Sequence, residues 1–95
     1  MKCFYGGKIL LKEGLCADKA VIAADGIIQD IVAADAVDRY ANAERIDLNG
    51  NFLLPGFIDI HVHGGGGADF MDGSVSAMLL AAETHLRHGT TTIFP

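Results

Sequence analysis

The chain has 95 residues, 51% of them hydrophobic and 20% charged, with a formal net charge of -5, a globular composition sufficient for one small domain. The acidic balance and the lack of any basic cluster argue against a nucleic-acid surface, and no apolar run is long enough to span a bilayer or patterned as a leader. Cys3 and Cys16 have no metal-site or disulfide-framework spacing, so a reducing, cytoplasmic setting is expected.

The first fifty residues read as short strands joined by turns. Phe4-Tyr5 and Lys8 to Lys12 flank Gly6-Gly7, a pattern that predicts a hairpin. Lys19 to Ala24 and Ile27 to Ala33 flank Asp25-Gly26 and predict a second hairpin, because a two-residue turn needs positive φ at both positions. Residues 35–43 are polar and alanine-rich and read as a short helix or a loop. Glu44 to Leu48 reads as a strand closed by Asn49-Gly50-Asn51, and Phe52 to Leu54 as another, punctuated by Pro55-Gly56.

From Phe57 the pattern changes. Phe57 to His63 predicts a strand with Asp59, His61 and His63 on one face and Ile58, Ile60 and Val62 on the other. Same-face imidazoles would sit roughly 6.6 Å apart at the backbone, close enough for both to lean onto one metal ion. Four glycines, Gly64 to Gly67, follow at once, and residues 64–73 read as a loop. Ser74 is placed to cap a helix over residues 75–88, whose Met78, Leu79, Ala82 and Leu86 mark the apolar face. Glu83 and Arg87 form an i,i+4 pair, and Gly89 stands just past the helix end. Thr90 to Phe94 is β-branched and reads as the next strand. Strand, loop, helix and strand make one βαβ unit with two parallel strands. One helix covers little of a parallel sheet, so the sequence is expected to be the opening portion of a larger α/β protein.

The run Leu54-Pro55-Gly56-Phe57-Ile58-Asp59-Ile60-His61-Val62-His63 resembles the amidohydrolase superfamily. Within it, His63-Gly64-Gly65-Gly66-Gly67-Ala68-Asp69-Phe70-Met71-Asp72 and Gly89 to Pro95 look like the N-acetylglucosamine-6-phosphate deacetylase family. The resemblance implies an α/β fold: part of a small β-sandwich in residues 1–53, then the first two strands and one helix of an incomplete (β/α)8 TIM barrel in residues 54–95. It also implies hydrolysis of N-acetyl-D-glucosamine 6-phosphate to D-glucosamine 6-phosphate and acetate by a metal-bound hydroxide. The divalent metal would be zinc or iron, with His61 and His63 among its ligands, and binding by these 95 residues alone would be weak or absent. The catalytic aspartate and the remaining ligands would lie beyond Pro95, so the chain alone is expected to be inactive. A homodimer is implied, and an exposed strand edge at Thr90 to Phe94 would favour swapped or edge-to-edge association. No arginine follows His63 as in dihydroorotase-like members, and both histidines are present where some deacetylases carry Gln-x-Asn.

Blander readings stand beside these. Asp59 either orients an imidazole or simply bonds backbone. His85 and His88 read as surface residues suited to a helix C-terminus. Gly64 to Gly67 reads as an active-site loop first and an anion nest second. Asp69 and Asp72 read as loop and cap residues, and Met78-Leu79-Leu80 as a helix core face. Two other functional readings remain: another amidohydrolase, a cyclic amidase or deaminase, and a non-catalytic barrel scaffold.

Overall fold

The Asp25-Gly26 turn forms as its residue types demand. Both residues take positive φ, 54° and 76°, in the computed structural model, which describes residues 1–95. The turn joins β4 (Lys19–Ala24) to β5 (Ile27–Ala33) in antiparallel register, with a bulge between Ile22 and Ala23. These strands belong to the first of two compact units, Met1–Pro55; the second is Gly56–Pro95.

In the first unit, β1 (Lys2–Tyr5) lies between β4 and β6 (Glu44–Asp47), giving the sheet order β5-β4-β1-β6. β1 runs antiparallel to β4 and parallel to β6. Residues two apart share a face, so Cys3, Ala20, Ile22 and Val32 collect on one side of this sheet. With Ala43 they form the buried core, and Val37 and Tyr40 of a 3-10 helix over Ala34–Tyr40 pack against it. Residues of the opposite face, Phe4, Val21, Ala23 and Ile28, line an apolar cleft of about 220 Å³ together with Ile9 and Leu53.

A second sheet in this unit has the order β3-β2-β7, from β2 (Lys8–Leu11), β3 (Gly14–Cys16) and β7 (Phe52–Leu53). The hairpin expected across Gly6-Gly7 is therefore not present: β1 and β2 are in different sheets. The parallel pair β1 and β6 hands over to the parallel pair β2 and β7 at this point. Gly6-Gly7 runs beside the Asn49-Gly50 turn, with the Gly50 N–H donating to the Gly6 carbonyl and the Lys8 N–H to the Asn51 carbonyl. A Cβ on Gly7 would collide with the Asn51 carbonyl oxygen, so backbone approach, not turn formation, is what the glycine permits.

In the second unit, β8 (Phe57–Asp59) pairs in parallel with β11 (Thr90–Ile93). Between them lie β9 (Gly64–Gly65), β10 (Ala68–Asp69) and α1 (Val75–Arg87). Ser74 Oγ accepts the Ala77 N–H at 3.2 Å to start the helix, and Gly89, at φ 96°, follows its end. Glu83 and Arg87 pair at 2.8 Å on the exposed side of the helix. Two expectations are corrected here. The strand ends at Asp59 rather than running to His63, and the glycine run is an antiparallel hairpin, not an open loop. Gly66 and Gly67, at φ 62° and 87°, form its turn. The chain as a whole is mixed and strand-rich α/β, and no helix is long and apolar enough to cross a membrane.

Candidate metal centre

The site candidates gather at the C-terminal end of β8. Asp59 ends the strand: its carbonyl accepts the Phe94 N–H at 3.0 Å, and its Oδ1 accepts the His61 N–H at 3.1 Å. The carboxylate thus bonds backbone, one of the two roles weighed for it, and closes a local turn of the type aspartate favours. That bond breaks the extended run, which is why Ile60 and His61 bend away from the strand.

His61 and His63 nevertheless converge. Their Nε2 atoms are 3.2 Å apart and their rings meet edge to face, with centroids 4.9 Å apart and planes at 82°. Both side chains are exposed. At that distance an Nε2–H on one neutral ring can face the bare Nε2 of the other. The same spacing suits a shared ion, because two imidazoles at about 2.0–2.1 Å from a tetrahedral metal hold their nitrogens about 3.3 Å apart. The donor set therefore fits two adjacent positions of a divalent cation. No three His, Cys, Asp or Glu side chains gather anywhere in the chain, so its own residues do not make a closed metal site.

The backbone after His63 is held closely. The His63 carbonyl accepts the Phe70 N–H at 2.9 Å, and β9 pairs with β10 through Gly64 opposite Asp69 and Gly65 opposite Ala68. Asp69 and Asp72 form a reciprocal capping box on the 3-10 turn Phe70–Asp72, with Met71 N–H to Asp69 Oδ1 at 2.7 Å and Asp69 N–H to Asp72 Oδ2 at 2.9 Å. They act as loop and cap residues.

His85 is the residue whose place the sequence did not convey. It is half-buried, and its Nε2 lies 2.8 Å from the Gly64 carbonyl oxygen. The available signal was that Ala81, Thr84 and His85 share a helix face at three- and four-residue steps, with two small residues beside the histidine. His88, by contrast, donates from Nδ1 to the Thr84 carbonyl at 2.8 Å in its own helix and stays exposed.

Known proteins resemble this chain in sequence and fold. Residues 52–95 match the sequence model of the Amidohydrolase family. N-acetylglucosamine-6-phosphate deacetylase of Haemophilus influenzae is 35% identical over 88 residues, which are 92% of this chain and 23% of that protein. N-acetylgalactosamine-6-phosphate deacetylase of a Shewanella species is 31% identical over 91 residues, 95% of this chain and 23% of that protein. The crystal structure of N-acetylglucosamine-6-phosphate deacetylase from Pasteurella multocida superimposes with a TM-score of 0.87 at 34% identity, over 99% of this chain and 24% of that one. The chain spans about a quarter of the length of these relatives.

Proposed function

Because this chain resembles the N-terminal portion of amidohydrolase-family deacetylases that act on amino-sugar phosphates, we propose that it supplies the first metal-binding corner of such an enzyme. On this reading residues 1–53 contribute to a small β-sandwich. Residues 54–95 provide the first two strands and first helix of a (β/α)8 barrel. The reaction is hydrolysis of N-acetyl-D-glucosamine 6-phosphate to D-glucosamine 6-phosphate and acetate, in the cytoplasm, by a protein that associates as a homodimer.

The observation that carries the proposal is the 3.2 Å separation of His61 Nε2 and His63 Nε2 just past the end of β8. The C-terminal ends of parallel strands are where barrel enzymes place their chemistry. His61 and His63 would each present an Nε2 lone pair to a divalent ion, zinc or iron. Such an ion, when bound, polarises a carbonyl and acidifies water. Asp59 holds the His61 backbone and so sets where that imidazole starts. The glycine hairpin packs its backbone closely on the helix after His63, since a Cβ on Gly65 or Gly66 would meet His85 or Thr84. Catalysis also needs a group that takes and returns a proton, and none of the chain's own residues is placed for it beside the histidine pair.

The test is a deacetylase assay with metal analysis on the complete gene product. His61→Ala and His63→Ala are each expected to lower kcat/KM at least about 100-fold, with loss of bound metal, since even supporting residues of a metal site cost 10–100-fold. The 95-residue chain alone is expected to show no turnover above a metal-only blank. Full activity and metal content in either alanine variant would overturn the proposal.

A further inference from the structure

We propose that His85 is a positioning residue for the His61–His63 pair, an inference that rests on reading the pair as a divalent-cation chelate. A carbonyl oxygen can only accept, so the 2.8 Å contact to Gly64 requires the proton on His85 Nε2 and leaves Nδ1 bare in the neutral ring. Gly64 follows His63 directly. A glycine there is free to rotate on both sides of its Cα, and that freedom would let the His63 backbone, and its imidazole, swing away from His61.

Two hydrogen bonds remove it. The Phe70 N–H holds the carbonyl before Gly64, and His85 holds the carbonyl after it. Both peptide planes flanking the hinge are then fixed, one from the hairpin and one from the helix. The glycines allow the helix to come close enough: a Cβ on Gly65 would stand 3.0 Å from His85 Nε2 and 3.4 Å from the Ala81 carbonyl oxygen, and one on Gly66 would strike Thr84 Oγ1. Ala81, fully buried, marks the same contact. Ala81, Thr84 and His85 thus form a grip on residues 64–66, and His85 contributes its directional bond.

The experiment uses the complete gene product, freed of metal, with Ni²⁺ as probe, followed by broadening of the His61 and His63 imidazole NMR signals, with circular dichroism to establish that each variant is folded. Imidazole pairs bind this ion well. His85→Ala is expected to raise the half-saturating Ni²⁺ concentration about 10-fold, the lower end of what supporting residues of metal sites cost. His85→Gln, which keeps an N–H donor, is expected to restore binding to within about threefold. A folded His85→Ala chain that binds Ni²⁺ as tightly as the unmodified chain overturns this inference and leaves the chelate reading standing. Ni²⁺ that leaves both imidazoles of the unmodified chain unchanged, or that binds equally to His61→Ala, overturns the chelate reading and this inference with it. Should His85→Ala not fold, long-range ¹H–¹⁵N correlation of the unmodified chain decides: an Nε2–H tautomer for His85 supports the inference, and an Nδ1–H tautomer overturns it.

Discussion

Tyr40 shows how one contact changes a residue's chemistry in this chain. Its hydroxyl donates to Asp30 Oδ2 at 2.6 Å. That bond raises the Tyr40 pKa above 10.0, with lesser upward contributions from desolvation and from the Asp30 charge and a lowering one from Arg39. A raised folded pKa means the contribution to stability is whole below the unfolded value and is lost as pH rises through the folded value. Tyrosinate absorbance should therefore place Tyr40 above an ordinary tyrosine, and Asp30→Asn should bring it down; an unchanged titration in Asp30→Asn would remove the bond as the cause. Residues of this kind differ in how well the sequence announces them. Ser74, Gly89 and the Asp25-Gly26 turn carry their roles in their own chemistry. Asp30 with Tyr40, and His85 with Gly64, are pairs brought together by strand and hairpin geometry, and neither member signals its partner.

Among the elements, the glycine hairpin is the least legible from sequence. Strand prediction depends on alternating side chains, and Gly64 to Gly67 has none to alternate. β8 was overestimated for the opposite reason: apolar alternation continues through Val62 while the Asp59 carboxylate, by capturing the His61 N–H, ends the strand. The βαβ order and the β4–β5 hairpin were legible because their turn and cap residues are specific. The hairpin also separates two glycine costs. Gly66→Ala meets both a left-handed backbone and Thr84 Oγ1, whereas Gly67→Ala meets only the backbone, with nothing within 4 Å of its Cβ. Left-handed backbone costs an L-residue about 1–2 kcal/mol. Denaturant midpoints should show Gly67→Ala losing about that amount and Gly66→Ala losing more; equal losses would mean that Thr84 yields freely.

At the scale of the molecule, burial is uneven. Cys3, Ala20, Val21 and Ile22 are buried in the first unit, while Ala81 is the one buried residue of the second, and Ile58 and Ile60 are 64% and 80% exposed. Local opening is easiest where few apolar groups are buried. Hydrogen exchange should thus be slowest at amides of β1 and β4 and faster at those of β8 and β11; the reverse order would contradict this account of where stability lies. The sequence marked short strands in the first unit but neither its core nor the partners of β1, because the pairing of Lys2 with Glu44 joins distant parts of the sequence. That pairing has a temporal consequence. During synthesis β1 leaves the ribosome first, yet its parallel neighbour β6 is made after β2, β3, β4 and β5. Contacts between distant segments form late because the intervening chain must first be closed into a loop. The Cys3 thiol, sealed in the finished sheet, therefore stays open to alkylation for most of the time the first unit takes to emerge.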